Sequence, residues 1–153
     1  MKRGNGKGII VIGFAFVLII LFIVSFMNFS KSPEDEATEA VHQFYQFEQS
    51  ASFGQSWELF HPLMKEKFEK SHYIQDRPHV FMNHFGVTTF SYQLSEPTEV
   101  SNWTMESGSN PIDGYRFTVS KSYDSKYGFF TIVKDIYVSN VQGKWLILWD
   151  YNQ

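Results

Sequence analysis

From Ile9 to Phe29 the chain is an apolar run that no charge interrupts, and nothing of that length recurs after it. Its 21 residues, at about 1.5 Å of rise each, span about 31 Å, so the run predicts a transmembrane helix. Ser32 and Pro33 then read as an N-cap and first helical position, and Glu34, Asp35 and Glu36 suit the positive end of a helix. Ala37, Ala40, Val41, Phe44 and Tyr45 recur at spacings of three and four. That period predicts an amphipathic helix to about Ser52, with Gly54 as its breaker. Trp57, Leu59 and Phe60 mark a short second helix, which Pro62 ends or after which it opens the next turn, and Leu63, Met64 and Phe68 a third. Pro78 interrupts residues 71–85, although Val80, Phe81, His84 and Phe85 share one helical face before Gly86.

After Gly86 the period shortens to two. Thr88–Leu94 alternates, and Pro97–Glu106 offers a second strand. Residues 107–111 and Asp113-Gly114 read as loop chemistry. Tyr115, Phe117 and Val119 alternate with polar residues. Phe130, Ile132, Ile136 and Val138 share one parity, with Lys134 the exception. Gln142-Gly143 is a turn, and Trp145, Ile147, Trp149 and Tyr151 form a last strand with Leu146 and Leu148 on its other face. Helices followed by about five strands with short connections predict an α+β domain, with Trp57, Phe60, Trp145, Ile147 and Trp149 in its core.

Charge orients this layout. Lys2, Arg3 and Lys7 precede the apolar run and Glu34 to Glu36 follow it, so the N-terminus is expected in the cytoplasm and the domain outside. The expected divisions are a basic cytoplasmic tail 1–8, a transmembrane helix 9–29, a linker 30–36 and an extracytoplasmic domain 37–153. A cleaved signal peptide is the competing reading, but its apolar core is normally only about 7–15 residues. Beyond the run, 16 acidic residues face 10 basic ones, and a charge of about −6 disfavours nucleic acid as a partner. The 153 residues hold no cysteine, which excludes thiol nucleophiles, cysteine zinc sites and disulfides. It also suits a bacterium without a disulfide-making periplasm.

Helices first and then a long meander resemble the nuclear transport factor 2-like fold, also called cystatin-like or SnoaL-like. Trp57-Glu58-Leu59-Phe60-His61-Pro62 looks like the second helix of such domains, and Lys144-Trp145-Leu146-Ile147-Leu148-Trp149-Asp150 like their last strand. That ending is similar to the non-catalytic N-terminal domain of low-affinity penicillin-binding proteins, which likewise follows a single membrane anchor. The resemblance implies helices packed on a curved antiparallel sheet, shaped as a cone. The chain stops at Gln153 and contains no Ser-x-x-Lys motif, so transpeptidation is not implied.

Enzymes of that fold place a proton-transfer residue in the cone's pocket, for which the candidates are His61, Tyr115, Tyr137 and Asp150, with Trp149 lining it. Asp150 also reads as a solvated strand end, and His61 as a helix-end hydrogen-bond donor. His79 and His84 are five apart and His72 and His79 straddle Pro78, so neither pair has metal-ligand spacing; no metal and no cofactor are expected. No Gly-x-Ser-x-Gly elbow occurs, and no catalytic residue is assigned. The expected function is a membrane-anchored interaction module accessory to cell-envelope machinery: wall synthesis, transport or conjugation assembly. Its partners would be the membrane and another envelope protein or a second copy. The alternative is a sensor or enzyme using an apolar pocket.

Overall fold

The computed structural model describes residues 16–22, 31–79 and 86–151, in two compact units, Met1–Ser32 and Pro33–Gln153. In the first, residues 16–22 are helical with exposed apolar side chains. Among the described residues no helix is long and apolar enough to cross a membrane. The rest of the expected 9–29 span and the 1–8 tail lie outside the described residues.

The second unit is α+β, with helices packed against a five-stranded antiparallel sheet. Its helices are α1 (Pro33–Gln49), α2 (Phe53–Glu58), α3 (Pro62–Lys67) and α4 (Lys70–Pro78). Its strands are β1 (Ser91–Leu94), β2 (Thr98–Trp103), β3 (Ile112–Ser125), β4 (Gly128–Val141) and β5 (Lys144–Leu148). The first turn of α1 thus occupies the last four positions of the expected linker. α1 buries Ala37, Val41, Phe44, Tyr45 and Glu48, the stripe its periodicity predicts, lengthened by a carboxylate. The break after α1 falls at Ala51, which takes a positive φ of 55°. Gly54 lies inside α2 and is not the breaker.

β3 and β4 form one long hairpin joined by the turn at Lys126-Tyr127. β1 pairs with Val119–Ser122 and β2 with the stretch from Ile112 to Arg116, so both share one side of β3. β5 pairs only with Tyr137–Val141 of β4. Leu59–His61, expected in a helix, is extended and lies parallel to β5. Ile147 N–H donates to Leu59 O at 2.8 Å, and His61 N–H donates to Ile147 O at 3.0 Å. A run that returns to the sheet edge cannot continue α2, because its backbone bonds are spent sideways.

Phe117, Val119, Ile136, Val138 and Ile147 join Val41, Phe44 and Phe60 in one buried cluster. On the opposite face Trp103 stacks on Tyr137 at 3.8 Å, and Tyr137 and Leu148 are buried there too. β5, at the end of the strand order, therefore has apolar cover on both faces. The expected core is partly corrected: Phe60 and Ile147 are fully buried, whereas Trp57, Trp145 and Trp149 are half-buried.

The two strands of the hairpin have 14 residues each. At about 3.3 Å per residue they reach about 46 Å, while the 17 residues of α1 reach about 26 Å. α1 cannot cover them along their whole length. Beyond Ile136, toward the turn, β4 is largely exposed.

Candidate functional site

The buried stripe of α1 ends in Glu48, only 4% exposed. Its carboxylate accepts from Ser56 Oγ of α2 at 2.6 Å and from the Tyr73 hydroxyl of α4 at 2.7 Å. It also accepts from Arg77 Nε at 2.9 Å and from Arg77 Nη2. Tyr73 and Arg77 are one helical turn apart, so α4 presents both to the same partner. Burial raises the Tyr73 phenol above its ordinary 10.0 and keeps it a donor. Burial disfavours the Arg77 charge, but the Glu48 carboxylate outweighs it and holds Arg77 above its ordinary value. Four donor contacts tie this carboxylate to α2 and α4, so it serves as an electrostatic pin between three helices. The signal for it was present in the sequence as a glutamate in phase with Val41, Phe44 and Tyr45, and as the Tyr73/Arg77 spacing.

Two lysines of the hairpin face this network. Lys121 Nζ lies 5.9 Å from the Tyr45 ring and 5.8 Å from the Phe90 ring. Lys134 Nζ lies 4.6 Å from the Trp149 ring. Burial, with Arg77 close by, brings the Lys121 ammonium down from 10.5 to about 8. Lys134, more exposed, is lowered by the same two causes. The cleft between Glu48, Phe53, Arg77, Phe90 and Tyr123 holds about 20 Å³, room for roughly one water. A cleft of about 380 Å³ opens beside Phe68, Tyr73, Arg77 and Trp149, rimmed by Glu66, Glu69 and Asp76.

The residues expected to line a common pocket are mostly dispersed. His61 is buried at the N-cap of α3, where its Nδ1 accepts from the Leu63 N–H at 3.2 Å. It opens a helix rather than ending one, as an acceptor rather than a donor, and burial lowers its pKa. Tyr115 packs 5.5 Å from Trp145, near the start of α1, where the Trp145 indole N–H donates to Glu36 Oε2 at 3.0 Å. Tyr137 lies on the face away from the helices, under Trp103. Trp149 packs on Phe60 and Phe68, at 5.2 and 5.4 Å between ring centroids. Asp150 is exposed just beyond β5. Tyr137 and Asp150 do come near each other: burial raises the Tyr137 phenol, and the carboxylates of Asp135 and Asp150 add to it.

Among the described residues no group of three His, Cys, Asp or Glu side chains is placed to hold a metal ion. His84 lies outside the described residues. The exposed apolar side chains of the second unit concentrate instead on the distal hairpin: Phe129 is 83% exposed, Tyr127 77% and Val133 61%. The alternation of β4 gave no warning of this, because β-branched and aromatic residues on a strand read equally as core.

Compared with family models, the chain matches none, and no curated protein matches it.

Proposed function

We propose that this chain is a membrane-tethered, extracytoplasmic binding module of the cone-shaped, nuclear transport factor 2-like type. It would serve cell-envelope machinery through protein contacts rather than chemistry. The observation that carries this reading is the exposed apolar surface of the distal hairpin, set against an interior filled with side chains whose buried carboxylate is taken up by Ser56, Tyr73 and Arg77. Contiguous exposed apolar surface on a folded domain marks an interaction site. The tether rests on the 9–29 run and the basic residues before it, and the envelope setting on the resemblance to the penicillin-binding protein domain. One observation favours a second reading, a small-molecule site: the cleft beside Trp149 falls in the size range of ligand pockets, about 300–1,000 Å³.

The test pairs topology with complementation of a deletion phenotype. Protease added to intact protoplasts is expected to digest the 33–153 unit, and a protected unit overturns the tether. Phe129→Lys and Val133→Glu are expected to abolish complementation at unchanged protein level, while Asp150→Asn and Tyr115→Phe keep it. Active hairpin variants, or loss with Trp149→Phe or Asp150→Asn alone, replace this reading with the ligand-binding one.

A further inference from the structure

A sheet's margins are where unpaired backbone groups invite another strand, and stable proteins guard them with covers, bulges, charges or very short strands. Most margins of this sheet are guarded. β5 is covered by Leu59–His61, which bonds to Ile147 on both sides of that residue. β1 has only four residues. β2 follows Pro97, carries Glu99, and is broken by a register shift between Val100 and Trp103, where Asn102 takes a positive φ of 55°. The distal half of β4 carries charges only at its inner end, Lys134 and Asp135, and among the described residues it has neither a cover nor a bulge. Residues 128–136 pair with β3 on one side, and among the described residues no strand pairs with them on the other. Gly128-Phe129-Phe130-Thr131-Ile132-Val133 holds no charge and no proline, and its β propensity is high.

We infer that this margin is a strand-pairing interface, and that its occupant is the same margin of a second copy, antiparallel about a two-fold axis at Ile132. This rests on the binding-module reading and names its surface and its partner. The self-pairing is chemically matched. Ile132 meets the second copy's Ile132, and Thr131 meets its Val133, two β-branched pairs of the kind that stabilise adjacent strands. Lys134, whose ammonium lies over its own Trp149, sets its aliphatic stem against the second copy's Phe130. Asp135 meets its Phe129, and Phe129 lies diagonal to its Val133, so the exposed apolar side chains of each copy cover those of the other. No like charges face each other across the axis. A lipid surface suits the aromatic tip at Tyr127 but not this margin, because unpaired N–H and C=O groups cost several kcal/mol each in hydrocarbon.

The chain has no cysteine, so single cysteines report the register without background. In membranes holding the full-length protein, oxidation of Ile132→Cys should give a disulfide-linked dimer. Co-expressed Thr131→Cys and Val133→Cys should link to each other more than either links to itself, since opposed strand residues lie within disulfide reach. Tyr127→Cys, exposed but outside the paired stretch, should link poorly. Ile132→Lys, which sets two ammonium groups face to face, should remove the Thr131/Val133 link while the protein still accumulates. Linkage at Tyr127→Cys alone, with none at 131–133, overturns the register and points to a tip contact such as the lipid surface. No linkage anywhere overturns the second copy as occupant. If complementation then still fails with Val133→Glu, the binding reading survives with a foreign strand on this margin.

Discussion

At Arg77 and Glu48 a charge is taken out of water only because its partner is already there. The Glu48 side chain is 1% exposed and that of Arg77 27%, so the pair is lopsided: the carboxylate is deeply buried and the guanidinium partly wet. Arg77→Met leaves Glu48 with the hydroxyls of Ser56 and Tyr73 alone. Breaking a buried pair from one side typically costs about 3–5 kcal/mol, and here the lower part of that range is expected because Arg77 retains some solvent. The double variant Glu48→Leu/Arg77→Met should recover most of the loss in urea titrations of the purified protein. No recovery would mean that the network does more than satisfy itself. Lys121 gives a pH-dependent counterpart. The unfolded chain holds its proton to about 10.5, whereas the folded one releases it near 8. The folded state therefore carries a penalty that is complete below pH 8 and fades as pH rises to 10.5. Lys121→Met should melt higher than wild type at pH 7, with the gap closing between pH 8 and 10.5. A gap that stays constant across that window would place the effect in packing. Two of the half-buried tryptophans show what composition conceals at this scale. The Trp57 indole N–H donates to Phe68 O at 2.7 Å and that of Trp145 to Glu36, so each ring lies with one edge at the surface where its N–H finds an acceptor.

Among the elements, those with long periodic patterns were legible and those defined by long-range pairing were not. α1 follows from its apolar stripe, and the middle of β3 and of β4 from their alternation, though not the turn that joins them. Leu59 and Phe60 look helical from their neighbours, yet the sheet margin claims their backbone. Asp113-Gly114 has the composition of a turn and lies within β3 instead. Gly114 is there for want of space: a Cβ at that position would collide with the carbonyl oxygen of Val138, in the backbone of β4. Ser139 Oγ donates to Asp113 O at 2.8 Å beside it and holds the strands at that approach. Gly114→Ala should force β3 and β4 apart, at a cost of about 1–3 kcal/mol by analogy with overpacked cores. Thermal melts decide it, and an unchanged midpoint would show that the strands yield freely there.

For the whole molecule, the fold class was legible because helices and strands occupy separate halves of the sequence. The dispersal of the candidate residues was not, because alternation places Tyr137 and Trp149 on opposite faces only once the register with β5 is known. The same pairing has a kinetic side. β5 meets β4 through a tight turn, but it also meets Leu59–His61, so residue 147 must find residue 60 before the sheet margin closes. Contacts so distant along the chain slow folding, since the entropy of closing a long loop must be met before the contact rewards it. A nascent chain that has emerged only as far as Val141 lacks the strand against which Phe60 packs, and its helices have little to fold onto. The sheet of this unit is thus closed by the last of its strands to be made. If the domain crosses a membrane as an extended chain, as proposed, late closure keeps it threadable until β5 arrives.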